Sequence, residues 1–88
     1  MDDAEIKNIA TRTANSVFGA THISSIANSS SFDSEGNEAL NITVTLYPNF
    51  VGDLYTRAPL EMAIQTSEAL QNAGEWRFPY IRYETGGK

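Results

Sequence analysis

Residues 39–47 read Ala39-Leu40-Asn41-Ile42-Thr43-Val44-Thr45-Leu46-Tyr47, which is the clearest strand pattern in the chain. Aliphatic side chains occupy the even positions, and polar or β-prone side chains follow at the odd positions from Asn41 onwards. Successive side chains of a strand point to opposite faces, so the alternation predicts a strand with one aliphatic face and one polar face. This pattern is typical of a sheet that is covered on one side only.

The segment before this strand predicts the other arm of a hairpin. Residues 21–28 predict a strand, although Ile23 and Ile26 fall on opposite faces under strict alternation. A bulge between them would bring both side chains to the same face. Residues 29–37 are dense in the turn formers Ser, Asp, Asn and Gly, and we expect them to form the hairpin tip.

Two amphipathic helices are predicted on either side of the hairpin. Residues 2–18 carry apolar side chains at three- and four-residue spacings, and Gly19 is placed to end that helix. Residues 59–73 predict the second helix, with Pro59 in its first turn. The predicted buried stripes are Ile6, Ile9, Ala10, Thr13, Val17 and Phe18 in the first helix, and Leu60, Ala63, Ile64, Ser67 and Leu70, widened by Met62 and Ala69, in the second.

The last predicted strand, residues 76–84, contains a proline. Pro79 cannot donate to a ladder, so we expect an edge position or a bulge. A regular strand would send Trp76, Phe78 and Tyr80 to one face, whereas a bulge at Pro79 would turn Trp76 and Phe78 towards the core. The sequence leaves both arrangements open.

The element order α-β-β-α-β predicts a single α+β domain over residues 1–88. The hairpin makes the first two strands antiparallel, and the crossover through the second helix makes the last two parallel. We therefore expect a three-stranded mixed sheet in the order 1-2-3 with both helices on one face.

Composition excludes several classes of function. The chain has 88 residues. Because it has no cysteine, disulfides and thiolate sites are excluded. Its net charge of −5 disfavours nonspecific binding to nucleic acid or anionic membrane. No apolar run approaches the ~20 residues of a membrane helix. The acidic N-terminus is unlike a signal peptide, so we expect a cytoplasmic protein.

No group of residues in the sequence predicts catalysis, a metal site, a cofactor or a small-molecule substrate. His22 is the sole histidine, and we expect an exposed or hydrogen-bonded strand residue. Glu61, Glu68 and Glu75 recur every seven residues, which predicts one solvated side of the second helix or, alternatively, an acidic docking strip. We therefore expect a protein that is not an enzyme.

The aromatic cluster of the last strand is the most informative group. Trp76, Tyr80 and Arg82 share a parity, and aromatics with arginine are typical of protein interfaces. Aromatics beside basic residues are also used by single-stranded nucleic acid sites, and the same side chains could simply complete a small core. Because the chain is acidic, we favour a protein contact over RNA and predict a partner surface formed by Trp76, Tyr80 and Arg82.

The element order resembles the bacterial type of KH-like fold, which is also seen in BolA-like proteins. Residues 50–57, Phe-Val-Gly-Asp-Leu-Tyr-Thr-Arg, have the aromatic-x-Gly opening of the BolA-like segment but lack its histidine, and no Gly-x-x-Gly loop of RNA-binding KH domains is present. The resemblance implies the fold alone.

A second resemblance covers most of the chain. The run Asp33-Ser34-Glu35-Gly36-Asn37-Glu38-Ala39-Leu40-Asn41-Ile42-Thr43-Val44, followed by Glu68-Ala69-Leu70 and Gly74-Glu75-Trp76-Arg77-Phe78-Pro79, is similar to short uncharacterised bacterial proteins. Some of these are associated with HEPN-type proteins in toxin–antitoxin-like pairs. The resemblance implies a possible HEPN-like partner and no catalytic residues.

These observations together predict a non-catalytic protein-interaction module or antitoxin-like partner. The expected partner is another protein chain, either a second copy or a HEPN-like protein. A KH-like RNA-binding accessory protein is the alternative.

Overall fold

The computed structural model describes residues 1–87 and has the predicted element order. Two short 3-10 helices, Ala20–His22 and Pro48–Tyr55, join the main elements. The helices and strands are α1 (Asp3–Phe18), β1 (Ile23–Phe32), β2 (Glu38–Leu46), α2 (Ala58–Asn72) and β3 (Phe78–Thr85). The sheet order is β1-β2-β3, with β1 antiparallel and β3 parallel to β2, which confirms the predicted α+β fold.

The two faces of β2 differ as its alternation predicts. The side chains of Leu40, Ile42, Val44 and Leu46 are fully buried in one cluster with residues of both helices. Asn41, Thr43 and Thr45 retain part of their exposure on the other side. We call these the covered face and the open face of the sheet.

Helix α1 forms and packs as its sequence predicts. The carboxylate of Asp2 caps it by accepting the backbone N–H of Glu5 at 2.8 Å, and Gly19 ends it with a φ of 98°, a conformation that glycine adopts without strain. The buried residues are Ile6, Ile9, Ala10, Thr13, Ala14 and Phe18, and Val17 packs half-buried against them. Only Ala14 was not predicted.

Helix α2 buries only part of the predicted stripe: Met62 and Leu70 are buried as predicted, whereas Ala63 is exposed. Met62, Thr66 and Leu70 are its buried residues, whereas Leu60 and Ile64 are 53% and 44% exposed. Two residues correspond to about 200° around a helix, so Leu60 and Met62 lie on nearly opposite sides. The prediction that Leu60 and Ile64 belong to the core was wrong. The helix carries two apolar stripes, and only the one that contains Met62 faces the sheet.

Strand β1 is longer than predicted and lies further along the chain. His22 belongs to a 3-10 helix, and residues 29–32 pair with β2 instead of forming the hairpin tip. The turn is confined to residues 33–37, where Asp33 Oδ1 accepts the backbone N–H groups of Glu35 and Asn37, both at 2.9 Å. The predicted bulge is confirmed, because the register shifts between Ile23 and Ser25.

Strand β3 runs regularly along β2 through its proline. Pro79 pairs in register with Leu40, and Ile81 pairs with Ile42, so no bulge occurs there. The proline lies on an edge strand, as its missing N–H requires. Among residues 1–87, no helix is long and apolar enough to cross a membrane.

Candidate functional site

The register of β3 brings an aromatic pair to the open face. Phe78 and Tyr80 lie beside Ala39 and Asn41 of β2, with their rings edge-to-face at a centroid distance of 4.9 Å. Phe78 is 59% exposed and Tyr80 is 44% exposed. The neighbouring position along this face is Arg82, which lies beside Thr43 and is exposed. We call this group, Phe78, Tyr80, Arg82, Asn41 and Thr43, the sheet-face surface.

Two of the three predicted partner residues belong to this surface. Tyr80 and Arg82 lie in the ladder on the open face, as regular alternation requires. Trp76 is 73% exposed but lies two residues before β3 begins, so the ladder does not fix its position. Phe78 takes the third place in the group. Its role was left open in the sequence because a bulge at Pro79 would have turned it inward.

The hairpin turn borders the sheet-face surface. A shallow depression of about 490 Å³ lies between Tyr80 and Arg82 on one side and the end of β1 on the other. Its remaining lining residues are Ser31, Phe32, Asp33, Ser34 and Asn41. The sequence analysis missed the contribution of residues 31–34, since it placed them in a hairpin tip. A prediction of β1 extending to Phe32 would have brought Ser31 opposite Ala39 and Phe32 opposite Glu38, close to the open face around Asn41.

The depression contains charges of both signs. Hydrogen bonds from the backbone N–H groups of Asn37 and Glu35 lower the pKa of Asp33, so its carboxylate is ionised at neutral pH. Arg82 lies across the depression from it. A ligand of this region therefore meets aromatic rings, hydroxyl and amide groups, one cation and one anion.

A buried ion pair holds the start of β3 in place. Glu75 is 4% exposed, and its carboxylate accepts two hydrogen bonds from the Arg77 guanidinium, from Nε at 2.9 Å and from Nη2 at 3.0 Å. The third nitrogen, Nη1, donates to Ser30 Oγ of β1 at 2.9 Å. Because Ser30 pairs with Leu40, this contact crosses the sheet at the hairpin end of the covered face.

The same pair sets the ionisation of both side chains. Hydrogen bonds from Arg77 lower the pKa of Glu75 to about 2, against the opposing effect of burial, and Glu75 in turn raises the pKa of Arg77. The prediction that Glu75 lies on a solvated side of the second helix was wrong. Helix α2 ends at Asn72, and Gly74 turns the chain with a φ of 92°.

The side chain of His22 is held by contacts with Asp53 and Phe50. Its Nδ1 lies 2.7 Å from Asp53 Oδ2, and its ring stacks on Phe50 at a centroid distance of 3.7 Å. These contacts tie the two 3-10 helices to each other. The histidine is hydrogen-bonded as predicted, but it does not lie in a strand. Within residues 1–87, no group of three or more potential metal ligands is found.

Comparisons of the chain with known families, proteins and structures add no relative to this description. No family model matches the chain, and no curated protein or solved structure matches it.

Proposed function

We propose that this chain is a non-catalytic protein-interaction module and that its sheet-face surface binds another protein. The observation that carries the proposal is the exposed pair of Phe78 and Tyr80 beside Arg82 on a regular strand. Aromatic residues and arginine contribute much of the binding energy in protein interfaces. An antitoxin-like role beside a HEPN-type protein is one form of this function, and it rests on the sequence resemblance alone.

The arrangement has the layout of a small interface. Exposed ring surface lies at its centre, and covering it would stabilise a complex by ~25 cal/mol for each Å² of apolar area removed from water. Polar groups of Asn41, Thr43 and Ser31 surround the rings and can supply the hydrogen bonds of a rim. The backbone beneath is held by the β2–β3 ladder, so little ordering is needed on binding.

The charge distribution favours a protein partner over RNA. The net charge is −5, and Arg82 has Asp33 across the depression and Glu84 next on the same face of β3. A polyanion would meet these carboxylates. A protein that offers an acidic side chain to Arg82 and an apolar patch to the rings fits the surface.

The test compares three tagged baits in extracts of the source organism. They are the wild-type protein, the double variant Tyr80→Ala with Arg82→Ala, and a control variant Tyr55→Ala. Tyr55 is 88% exposed in the second 3-10 helix, away from the sheet-face surface, so its variant removes a comparable side chain elsewhere. Thermal melting of each bait checks that the fold is intact.

We expect one protein to be retained by the wild-type and Tyr55→Ala baits and lost from the double variant. Nuclease treatment should not release it. Retention of RNA in place of protein would overturn the proposal, and so would equal retention by all three baits. Unfolding of the double variant would show that Tyr80 and Arg82 contribute to the core.

A further inference from the structure

The two edges of the sheet differ in how they are protected against pairing. Strand β1 forms one edge, and its ten residues, Ile23–Phe32, include no charged side chain and no proline. Proteins commonly block exposed edges with charges, prolines or bulges. The one such device in β1 is the bulge near Ser24, and it leaves residues 25–31 regular.

Strand β3 forms the other edge and has several such devices. Pro79 removes one N–H donor, and Arg82 and Glu84 place charges along its open face. An added strand would therefore meet a broken ladder and two charged side chains. The β1 edge is the one that remains competent for strand addition.

We propose that the β1 edge pairs antiparallel with β1 of a second copy of this chain. The result is a six-stranded sheet with a two-fold axis perpendicular to it, so that the helices of both copies cover the same face. Residues that lie opposite each other must then share a face. Pairing of the regular segment 25–31 with itself meets this condition, with Asn28 at the axis and Ala27 opposite Ser29 of the second copy.

Charge complementarity next to β1 supports a second copy as the occupant. Two molecules of net charge −5 repel each other overall, and Asp3 of α1 lies beside Asn28, but the side chains of β1 itself are all uncharged. Beside its Ser24 end, β1 borders a groove of about 370 Å³ that is lined on the helix side by Lys7, Thr11 and Asn15. Lys7 makes no ion pair within residues 1–87.

The antiparallel arrangement gives Lys7 a partner. It brings the Ser24 end of one strand beside the Phe32 end of the other, so the acidic turn of the second copy, with Asp33 and Glu35, follows at the groove. Lys7 of each copy thus lies near Asp33 and Glu35 of the other copy, and the two-fold symmetry repeats this contact at both ends of the interface.

The test uses two variants of opposite charge, Ala27→Lys and Ala27→Glu. Ala27 is exposed on the open face, so either side chain is compatible with the monomer. In the proposed pairing the two copies of residue 27 are diagonal neighbours across the axis, where like charges repel. The readout is sedimentation equilibrium over a range of concentrations, with Ala63→Lys on the exposed side of α2 as the control.

We expect the wild-type chain and Ala63→Lys to form dimers. The dimer dissociation constant of each Ala27 variant alone should be at least about tenfold higher than that of the wild-type chain. An equimolar mixture of Ala27→Lys and Ala27→Glu should form dimers again. Amide exchange in residues 25–31 should slow as the concentration rises. A wild-type chain that stays monomeric, or a dimer that survives in Ala27→Lys, overturns the proposal.

This inference is independent of the proposed function. The double variant Tyr80→Ala with Arg82→Ala should retain the dimer, because those residues lie on β3, two strands away from the β1 edge. Loss of the dimer in that variant would instead assign self-association to the sheet-face surface.

Discussion

The covered face and the open face are built by the same strands with opposite results. On the covered face, four β2 side chains are fully buried against apolar residues of both helices. On the open face, hydroxyl and amide groups of β2 lie beside exposed aromatic rings of β3. The difference indicates that stability resides on one face, which leaves the other free to change with little effect on folding.

The sharpest test of this contrast replaces adjacent residues of β2. Ile42→Ala should lower the free energy of unfolding by ~2–4 kcal/mol, because it leaves a cavity among fully buried side chains. Thr43→Ala, on the open face next to it, should cost less than ~1 kcal/mol. Urea denaturation of the two variants measures both values. Similar losses would show that the open face is also structural.

The next largest effect is expected from the ion pair at the hairpin end of the covered face. Arg77→Met removes the hydrogen-bonded partner of the buried Glu75 carboxylate, leaves it only the N-terminal ammonium of Met1 at 3.9 Å, and should cost ~2–3 kcal/mol. The control is Arg57→Met, since Arg57 and Glu61 form an exposed pair at 3.6 Å that should contribute less than ~1 kcal/mol. Equal effects of the two variants in denaturant melts would contradict the structural role of Glu75.

The same pair predicts a pH dependence. The pKa of Glu75 falls from 4.5 to about 2 on folding, so its contribution is fully present above 4.5 and is lost as the pH decreases towards about 2. The stability difference between the wild-type chain and Glu75→Gln should therefore shrink between about pH 5 and about pH 3. Denaturation curves at these two pH values measure it. A difference that stays constant would mean that the carboxylate is not held ionised by Arg77.

Helix α2 offers the same contrast on a smaller scale. Ile64→Ala removes a half-exposed side chain and should cost less than ~1 kcal/mol, whereas Met62→Ala empties a fully buried position and should cost ~2–3 kcal/mol. Thermal melts of the two variants give the ranking. If Ile64→Ala were the more harmful change, the helix would face the sheet as the sequence predicted.

The smallest effect is expected at Tyr83. Its hydroxyl is buried without a hydrogen-bond partner among residues 1–87, and burial raises the pKa of this phenol to about 12. Tyr83→Phe should change stability by less than ~0.5 kcal/mol or increase it slightly, because no bond is lost. Absorbance titration should show one tyrosine ionising near pH 12 in the wild-type chain and none there in the variant. A loss above ~1 kcal/mol would indicate a hydrogen bond at this hydroxyl.

The parts of the fold that could be predicted from sequence are those with one dominant pattern. Alternation in β2 and the single stripe of α1 each allow one arrangement, and the hairpin and crossover rules then determine the sheet order. The open-face position of Tyr80 and Arg82 followed from the same parity. Phe78 could not be assigned, because sequence alone does not exclude a bulge at Pro79.

The parts of the fold that could not be predicted are segments whose sequence is compatible with two different local structures. Helix α2 has apolar residues on both sides, and the choice between Leu60 and Met62 depends on tertiary packing. Residues 29–31 are serines, which suit turns, yet an edge strand tolerates them because one side of it meets water. Glu75 continues a seven-residue spacing beyond the end of the helix, so its burial beside Arg77 has no signal in the periodicity.

The parallel pairing of β3 has a consequence for the order of folding and opening. The β1–β2 hairpin closes over a turn of residues 33–37, whereas the register of β3 joins residues 39 apart, such as Ala39 and Phe78. Closing the longer loop costs more chain entropy, so we expect β3 to dock after the hairpin and to detach before it in partial opening. A ligand of Phe78 and Tyr80 would bind the docked form alone and would thereby slow amide exchange throughout β3.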